Sequence, residues 1–121
     1  MDRGTSLKIR KNETNIIKIL ENYAKAQGSK NYNKLYLVYT KLVYKTLGIQ
    51  SGNRDNLSPN ILSILSTMEI LIAQTVIELM KKNVHYKIIY ITTKEKLYTL
   101  KELLYIENQN SINNLDLRLV S

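Results

Sequence analysis

Apolar residues recur along most of the chain at steps of three and four, which is the spacing of an amphipathic helix. Four such segments follow one another, and residues that commonly start or stop helices separate them. The pattern predicts an all-α fold, a compact bundle of about four helices with a short irregular C-terminal tail. It divides the chain into a basic flexible arm over residues 1–12, a helical domain over 13–107 and an Asn-rich tail over 108–121.

The first two predicted helices lie on either side of Gly28. Helix one begins at Asn12 or Thr14 and ends at Gly28, because glycine readily takes the left-handed conformation that stops a helix. Helix two follows a cap at Ser29 and ends at Gly48. Its apolar positions, starting at Tyr32, form the clearest periodic pattern in the chain, so we expect Tyr32 to face the core.

The third predicted helix starts at Ser58 and Pro59, a pair in which serine caps the exposed amides and proline needs no amide partner. It runs to about Lys82, and Asn83 is a plausible stop. Apolar residues occupy most of its circumference, which is typical of a helix in the middle of a bundle or in a dimer seam. We therefore expect a homodimer.

Two interpretations of the C-terminal third stay open. Apolar positions from Tyr86 to Leu104 keep one face for about five turns, which favours a fourth helix. The residues from 85 to 92 are also rich in β-formers, so the alternative is a strand there, a short helix, and a second strand over 115–120.

Composition removes several classes of chemistry. The chain of 121 residues contains no Cys and one His, His85, so disulfides, thiolate nucleophiles and Cys-based zinc sites are excluded. We expect His85 to be a helix cap or a surface residue. The glycines are isolated, and most acids, such as Glu21 between Lys18 and Lys25, read as parts of surface ion pairs. We predict no enzyme activity, no cofactor and no metal site.

The N-terminal residues lack the apolar run of a signal peptide, and polar residues interrupt the most apolar segment, from Ile61 to Met80. We therefore expect no membrane span and a cytoplasmic location.

Positive charge is concentrated in the first half of the chain. Residues 1–57 hold 11 Lys or Arg against 4 Asp or Glu, a net +7, whereas residues 58–121 hold 7 against 6, a net +1. On a helical wheel, one side of helix two carries four lysines, which makes that side the candidate nucleic-acid face. The predicted phosphate contacts are Lys30, Lys34, Lys41 and Lys45, the arm residues Lys8, Arg10 and Lys11, and Arg54 in a loop.

A second interpretation of these lysines is that they form the ordinary solvated face of an amphipathic helix. Under that reading, apolar residues beside the face would bind a protein instead. The predicted interface residues are Leu37, Val38 and Tyr44. The alternative function is thus a protein-interaction module, either a homodimer or an inhibitor of a host protein, with no nucleic-acid role.

A family resemblance also bears on the fold and function of the chain. It is carried by the strings Gly28-Ser29-Lys30-Asn31-Tyr32, Leu35-Tyr36, Tyr39-Thr40-Lys41, Leu47-Gly48-Ile49, Arg54-Asp55-Asn56-Leu57-Ser58, His85-Tyr86-Lys87 and Lys94-Glu95-Lys96-Leu97. They resemble small helical proteins encoded by phages and prophages of AT-rich bacteria, and are loosely similar to C-terminal modules of phage antirepressor-type regulators. The resemblance implies a helix after His85 and a regulatory accessory role in the bacterial host cell.

Overall fold

The structure, a computed structural model, describes residues 2–50, 52 and 54–120, with side chains as far as Leu104. All regular secondary structure in this part of the chain is helical, which confirms the predicted all-α bundle. The four helices are α1 (Arg3–Ala26), α2 (Leu35–Leu47), α3 (Pro59–Lys81) and α4 (Tyr86–Val120). Short 3-10 turns span Tyr32–Lys34 and Arg54–Asn56.

Helix α1 starts much earlier than predicted. The Asp2 carboxylate caps it by accepting hydrogen bonds from the Thr5 amide at 2.8 Å and the Thr5 hydroxyl at 2.9 Å. The prediction of a flexible arm over residues 1–12 is therefore wrong for residues 3–12, which form the first turns of α1. These turns bury Ser6 and half-bury Arg10, which makes polar contacts to α2. An apolar periodicity cannot show such contacts.

The predicted helix stops at Gly28, Gly48 and Asn83 are confirmed. Gly28 follows α1 with φ of 92°, and the Ser29 amide donates to the Ala24 carbonyl oxygen at 3.0 Å. The same pattern ends α2 at Gly48, with φ of 72°, and α3 at Asn83, with φ of 58°. These positions close the helices because a left-handed residue lets the next amide reach back to an unpaired carbonyl.

Helix α2 starts later than predicted. Residues 29–31 are non-helical, and Tyr32–Lys34 form a separate 3-10 turn before α2 begins at Leu35. Consequently Lys30 lies in the connection between α1 and α2, and Tyr32 is not part of the apolar face of α2. The cap predicted at Ser58 is confirmed, since its hydroxyl accepts from the Ile61 amide at 3.3 Å.

Helix α4 agrees with the helical interpretation of the C-terminal third and not with the strand interpretation. It is continuous from Tyr86 to Val120, so neither predicted strand, over 85–92 or over 115–120, is present in this described range. The irregular tail predicted over 108–121 is likewise wrong as far as Val120, because the backbone there continues α4. Ser121 lies outside the described residues.

The helices pack as a square in which α1 and α3 are parallel neighbours. Near their N-termini the Ser66 hydroxyl donates to the Ser6 hydroxyl at 3.1 Å, and near their C-termini the Tyr23 hydroxyl donates to the Val84 carbonyl oxygen at 2.5 Å. Short connections turn α2 back along α1 and α4 back along α3. Each of the four helices packs against the other three, so this square arrangement does not give α3 the central position that the sequence predicted.

The core lies between the four helices and contains a tyrosine pair. Tyr39 of α2 meets Tyr90 of α4 edge to face, with ring centroids 5.7 Å apart. The largest fully buried apolar side chains besides Tyr39 are Ile17, Leu20, Val43, Leu65, Met68, Ile72, Val76, Ile89 and Leu97. Every α-helix contributes to this list, so the bundle has one continuous core.

Within the described residues, α3 is the one helix long and apolar enough to cross a membrane. Its most apolar window has a mean hydropathy of 1.6, and half of that window is buried in the bundle. A core helix has the same length and composition, so this property is weak evidence for a span.

Candidate nucleic-acid interface

The outer side of α1 carries a row of lysine and asparagine side chains, here called the lysine stripe. Its members recur at alternating steps of three and four, so they share one face of the helix. All of them are exposed, and they lie opposite the buried side of α1. The lysine stripe consists of Lys8, Lys11, Asn15, Lys18, Asn22 and Lys25.

The length of the lysine stripe suits a polyanion. From Lys8 to Lys25 it extends for about 25 Å at about 1.5 Å per residue. A row of this length spans several successive phosphates of a nucleic-acid strand. Asparagine amides between the lysines are further donors to phosphate oxygens.

No acidic side chain interrupts the lysine stripe. The first half of the chain contains four acids. Asp2 caps α1, Glu13 is buried, and Asp55 lies in the second 3-10 turn. Glu21 accepts a hydrogen bond from the Tyr36 amide at 3.4 Å, so the predicted pairing with Lys18 and Lys25 is wrong. In the described part of the chain, the stripe lysines have no ion pair.

The lysines predicted on helix two are all exposed, but they do not all lie on α2. Lys41 and Lys45 lie on α2 opposite its buried residues, and Lys34 immediately precedes the helix. Lys30 lies in the preceding connection. Three of the four predicted lysines, Lys34, Lys41 and Lys45, therefore lie on α2 or directly before it, and Lys30 lies outside this face. Together with the lysine stripe these four residues form what we call the lysine surface.

Lys25 and Tyr32 connect the two parts of the lysine surface. The Lys25 ammonium lies 5.1 Å from the centroid of the Tyr32 ring, a cation–π contact between α1 and the first 3-10 turn. Tyr32 is half-buried and is not among the side chains packed against the core. The sequence prediction that Tyr32 faces the core is therefore wrong.

Arg10 and Arg54, both predicted to contact phosphates, are engaged inside the bundle. Arg54 Nη1 and Nη2 hold the two carboxylate oxygens of Glu69 at 2.8 and 2.9 Å. Arg10 Nη1 bridges Glu13 Oε1 at 3.0 Å and Glu69 Oε2 at 3.4 Å. These four residues form an ionic cluster, and their internal contacts contradict the two arginine predictions. Sequence patterns did not indicate it, since Arg10 lies 59 residues from Glu69, and Arg54 lies 15 residues from Glu69.

Hydroxyl groups complete the ionic cluster. Arg10 Nη2 donates to the Tyr36 hydroxyl at 3.0 Å and to Thr40 Oγ1 at 3.1 Å. Arg54 Nη2 donates to Ser6 Oγ at 2.5 Å and to the Ser6 carbonyl oxygen at 3.0 Å. The cluster thus ties α1, α2, α3 and the second 3-10 turn together, and it holds both arginines away from the lysine surface.

Glu13 is the least well satisfied member of the ionic cluster. Its Oε2 is buried and has no hydrogen-bond partner, and the Glu13 side chain is 2 % exposed. Burial and the neighbouring Glu69 carboxylate raise the pKa of Glu13 to about 7, while the Arg10 guanidinium opposes this shift. Near neutral pH a substantial share of Glu13 therefore carries a proton.

The residues predicted as a protein interface separate into two groups. Leu37 and Val38 are exposed, at 54 % and 37 % of their surface. Tyr44 is 7 % exposed and belongs to the core, so its assignment to an interface is wrong. Tyr44 follows the buried Val43 on α2 and packs with it in the core.

His85 occupies the predicted position at the start of α4. It is exposed, and its Nδ1 accepts a hydrogen bond from the Lys87 amide at 3.3 Å, as a helix cap does. In the part of the chain that the structure describes, no cluster of three or more His, Cys, Asp or Glu side chains is arranged to hold a metal ion.

Comparison with protein-family models, with curated proteins and with solved structures finds no match for this chain.

Proposed function

We propose that this protein is a non-enzymatic accessory protein that binds the phosphate backbone of nucleic acid through the lysine surface. The observation that carries the proposal is the lysine stripe, an exposed and acid-free row along about 25 Å of helix. A solvated helix face normally mixes both signs of charge and pairs them at steps of three or four. The stripe departs from that arrangement, since Glu13 of α1 is buried and Glu21 is half-buried and accepts from the Tyr36 amide.

Binding in this proposal comes from neutralised phosphates and released counterions. Lysine ammonium groups are point charges that do not select a base, and two of the arginines, Arg10 and Arg54, are held in the ionic cluster. The proposed partner is therefore nucleic acid of any sequence. The phage-type family resemblance extends the proposal to a regulatory role in the cytoplasm of a bacterial host cell.

A fluorescence-anisotropy titration with labelled random nucleic acid at low salt tests this proposal. The test variant is Lys11→Glu with Lys18→Glu, in the middle of the lysine stripe. The control variant is Lys81→Glu with Lys96→Glu, which makes the same charge change at exposed positions of α3 and α4. We expect the test variant to lose at least about tenfold in affinity and the control to lose much less.

Two results would count against the proposed role of the lysine surface. If the wild-type protein does not bind at low salt, the proposal is wrong. If both variants lose affinity equally, net charge alone accounts for binding and the lysine surface has no special role.

The second candidate function is a protein-interaction module, favoured by one observation. Leu37 and Val38 are adjacent, exposed and apolar on α2. Such a pair would bind a second copy of the chain or a host protein through contacts that survive high salt. Scattering or ultracentrifugation of wild-type protein and of Leu37→Lys tests the homodimer. A dimer lost in the variant supports this candidate, and a wild-type monomer contradicts the homodimer.

A further inference from the structure

We propose that Tyr32 is a stacking platform for an unpaired base, so that the preferred ligand is single-stranded nucleic acid. This inference rests on the proposed function and specifies its substrate class. The lysine surface would hold the backbone, and the Tyr32 ring at one end of it would bind the base. Aromatic rings beside a positively charged groove are the usual means by which proteins bind single strands without sequence preference.

The position of Tyr32 is unusual for a tyrosine in this protein. Among the tyrosines described with side chains, Tyr98 is the other one outside the core, and it has Glu95 and Glu102 three residues before and four residues after it on α4. The rest belong to the core or pack against it: Tyr23, Tyr36, Tyr39, Tyr44, Tyr86 and Tyr90. Tyr32 instead lies in the 3-10 turn that precedes α2, half-buried and outside the core. Its described ring contact is the Lys25 ammonium, 5.1 Å from the ring centroid. A base that stacks on this face would take the place of the Lys25 ammonium, and the core packing would not change because Tyr32 lies outside the core.

The surroundings of Tyr32 suit a nucleic-acid strand. Lys30 and Lys34 lie two residues before and after it, and both are exposed. Asn31 and Asn33, the immediate neighbours, are also exposed and offer amide donors. No Asp or Glu occurs between Glu21 and Asp55. Three lysines, counting Lys25, can therefore neutralise phosphates on either side of a base that stacks on the ring.

This chemistry distinguishes single strands from duplexes. In a duplex the faces of the bases are covered by their neighbours, so the protein can contact phosphates, sugars and base edges but has no base face on which to stack. In a single strand a base can leave its stack and present one face to tyrosine. The ring should therefore add affinity for single strands, while the lysine stripe contributes to the binding of both.

The experiment compares Tyr32→Leu and Tyr32→Phe with the wild-type protein. Anisotropy titrations use a labelled oligothymidine strand and a duplex of matched length, and circular dichroism checks that the variants are helical. We expect Tyr32→Leu to lose about tenfold in affinity for the single strand and to retain its affinity for the duplex. Tyr32→Phe keeps the ring and should bind both ligands as the wild-type protein does.

The outcomes separate this inference from the proposed function. Equal affinities of Tyr32→Leu and wild-type protein for the single strand would overturn the stacking platform. Equal losses on both ligands would also overturn it, because a duplex offers no base to stack. In either case the Lys11→Glu, Lys18→Glu variant still reports separately whether the lysine surface binds nucleic acid.

Discussion

Arg54 holds both carboxylate oxygens of Glu69, with Nη1 at 2.8 Å from Oε2 and Nη2 at 2.9 Å from Oε1. The two side chains are 15 % and 1 % exposed, so this fork lies at the edge of the core. Because the pair is bidentate and the carboxylate is buried, removing either partner leaves an uncompensated charge. The pair fixes the turn before α3 to the middle of that helix.

Replacing Arg54 with Met should therefore lower the free energy of unfolding by about 3 kcal/mol. The Glu69 carboxylate would keep only the longer contact to Arg10, at 3.4 Å. Urea denaturation followed by circular dichroism measures the loss. Arg3→Met is the matched control, since Arg3 is exposed and its contacts to backbone carbonyl oxygens measure 3.4 and 3.5 Å. A loss below about 1 kcal/mol for Arg54→Met would contradict the structural role of the fork.

Stability should depend on pH through Glu13. Its pKa is raised from 4.5 to about 7 in the folded protein, so the folded state binds the proton more tightly than the unfolded chain. The resulting stabilisation is complete below about pH 4.5 and is lost as the pH rises through about 7. The shift corresponds to a contribution of order 3 kcal/mol.

The measurement for Glu13 is the urea midpoint across this pH range for wild-type protein and for Glu13→Gln. Arg10, Glu69 and Arg54 act on Glu13 electrostatically, and all three remain in the variant. Glutamine keeps the shape without the titration, so we expect its midpoint to change little with pH and to exceed the wild-type midpoint above neutrality. A variant as sensitive to pH as the wild-type protein would show that other groups control the dependence.

The stop at Gly48 gives a test of local backbone conformation. Gly48 has φ of 72°, and a Cβ added there would meet nothing within 4 Å. The cost of Gly48→Ala is therefore the left-handed backbone alone, about 1 kcal/mol of unfolding free energy. Gly48→Asn is the control and should cost less, because asparagine tolerates this conformation. Thermal unfolding of the two variants measures the difference, and equal stabilities would contradict it.

The sequence predicted the parts of the fold that depend on local rules. Glycine and Asn83 stops, the Ser58 cap and the long apolar helix α3 follow from backbone conformation and apolar periodicity. The first turns of α1 were missed because Ser6 and Arg10 pack against the bundle through polar contacts. Nothing in the local pattern distinguishes such residues from a solvated arm.

The candidate site was predicted only where its residues depend on local spacing along a helix. The exposure of Lys34, Lys41 and Lys45 follows from helical spacing. The engagement of Arg10 and Arg54 depends on carboxylates contributed from other positions, with Arg10 and Glu69 separated by 59 residues. Tyr32 was misplaced because its spacing continues the apolar pattern of α2 although the chain forms a 3-10 turn there.

The central claim concerns the lysine surface, and the salt dependence of binding tests it most directly. We would measure the dissociation constant for labelled single-stranded nucleic acid across a series of salt concentrations, for wild-type protein, for Lys11→Gln with Lys18→Gln, and for Lys81→Gln with Lys96→Gln. Each lysine that neutralises a phosphate adds up to about one unit to the slope of log affinity against log salt. The account predicts a steep wild-type slope, a decrease of one to two units or so in the stripe variant, and the wild-type slope in the control. Salt-independent binding, or equal slopes in all three proteins, would contradict it.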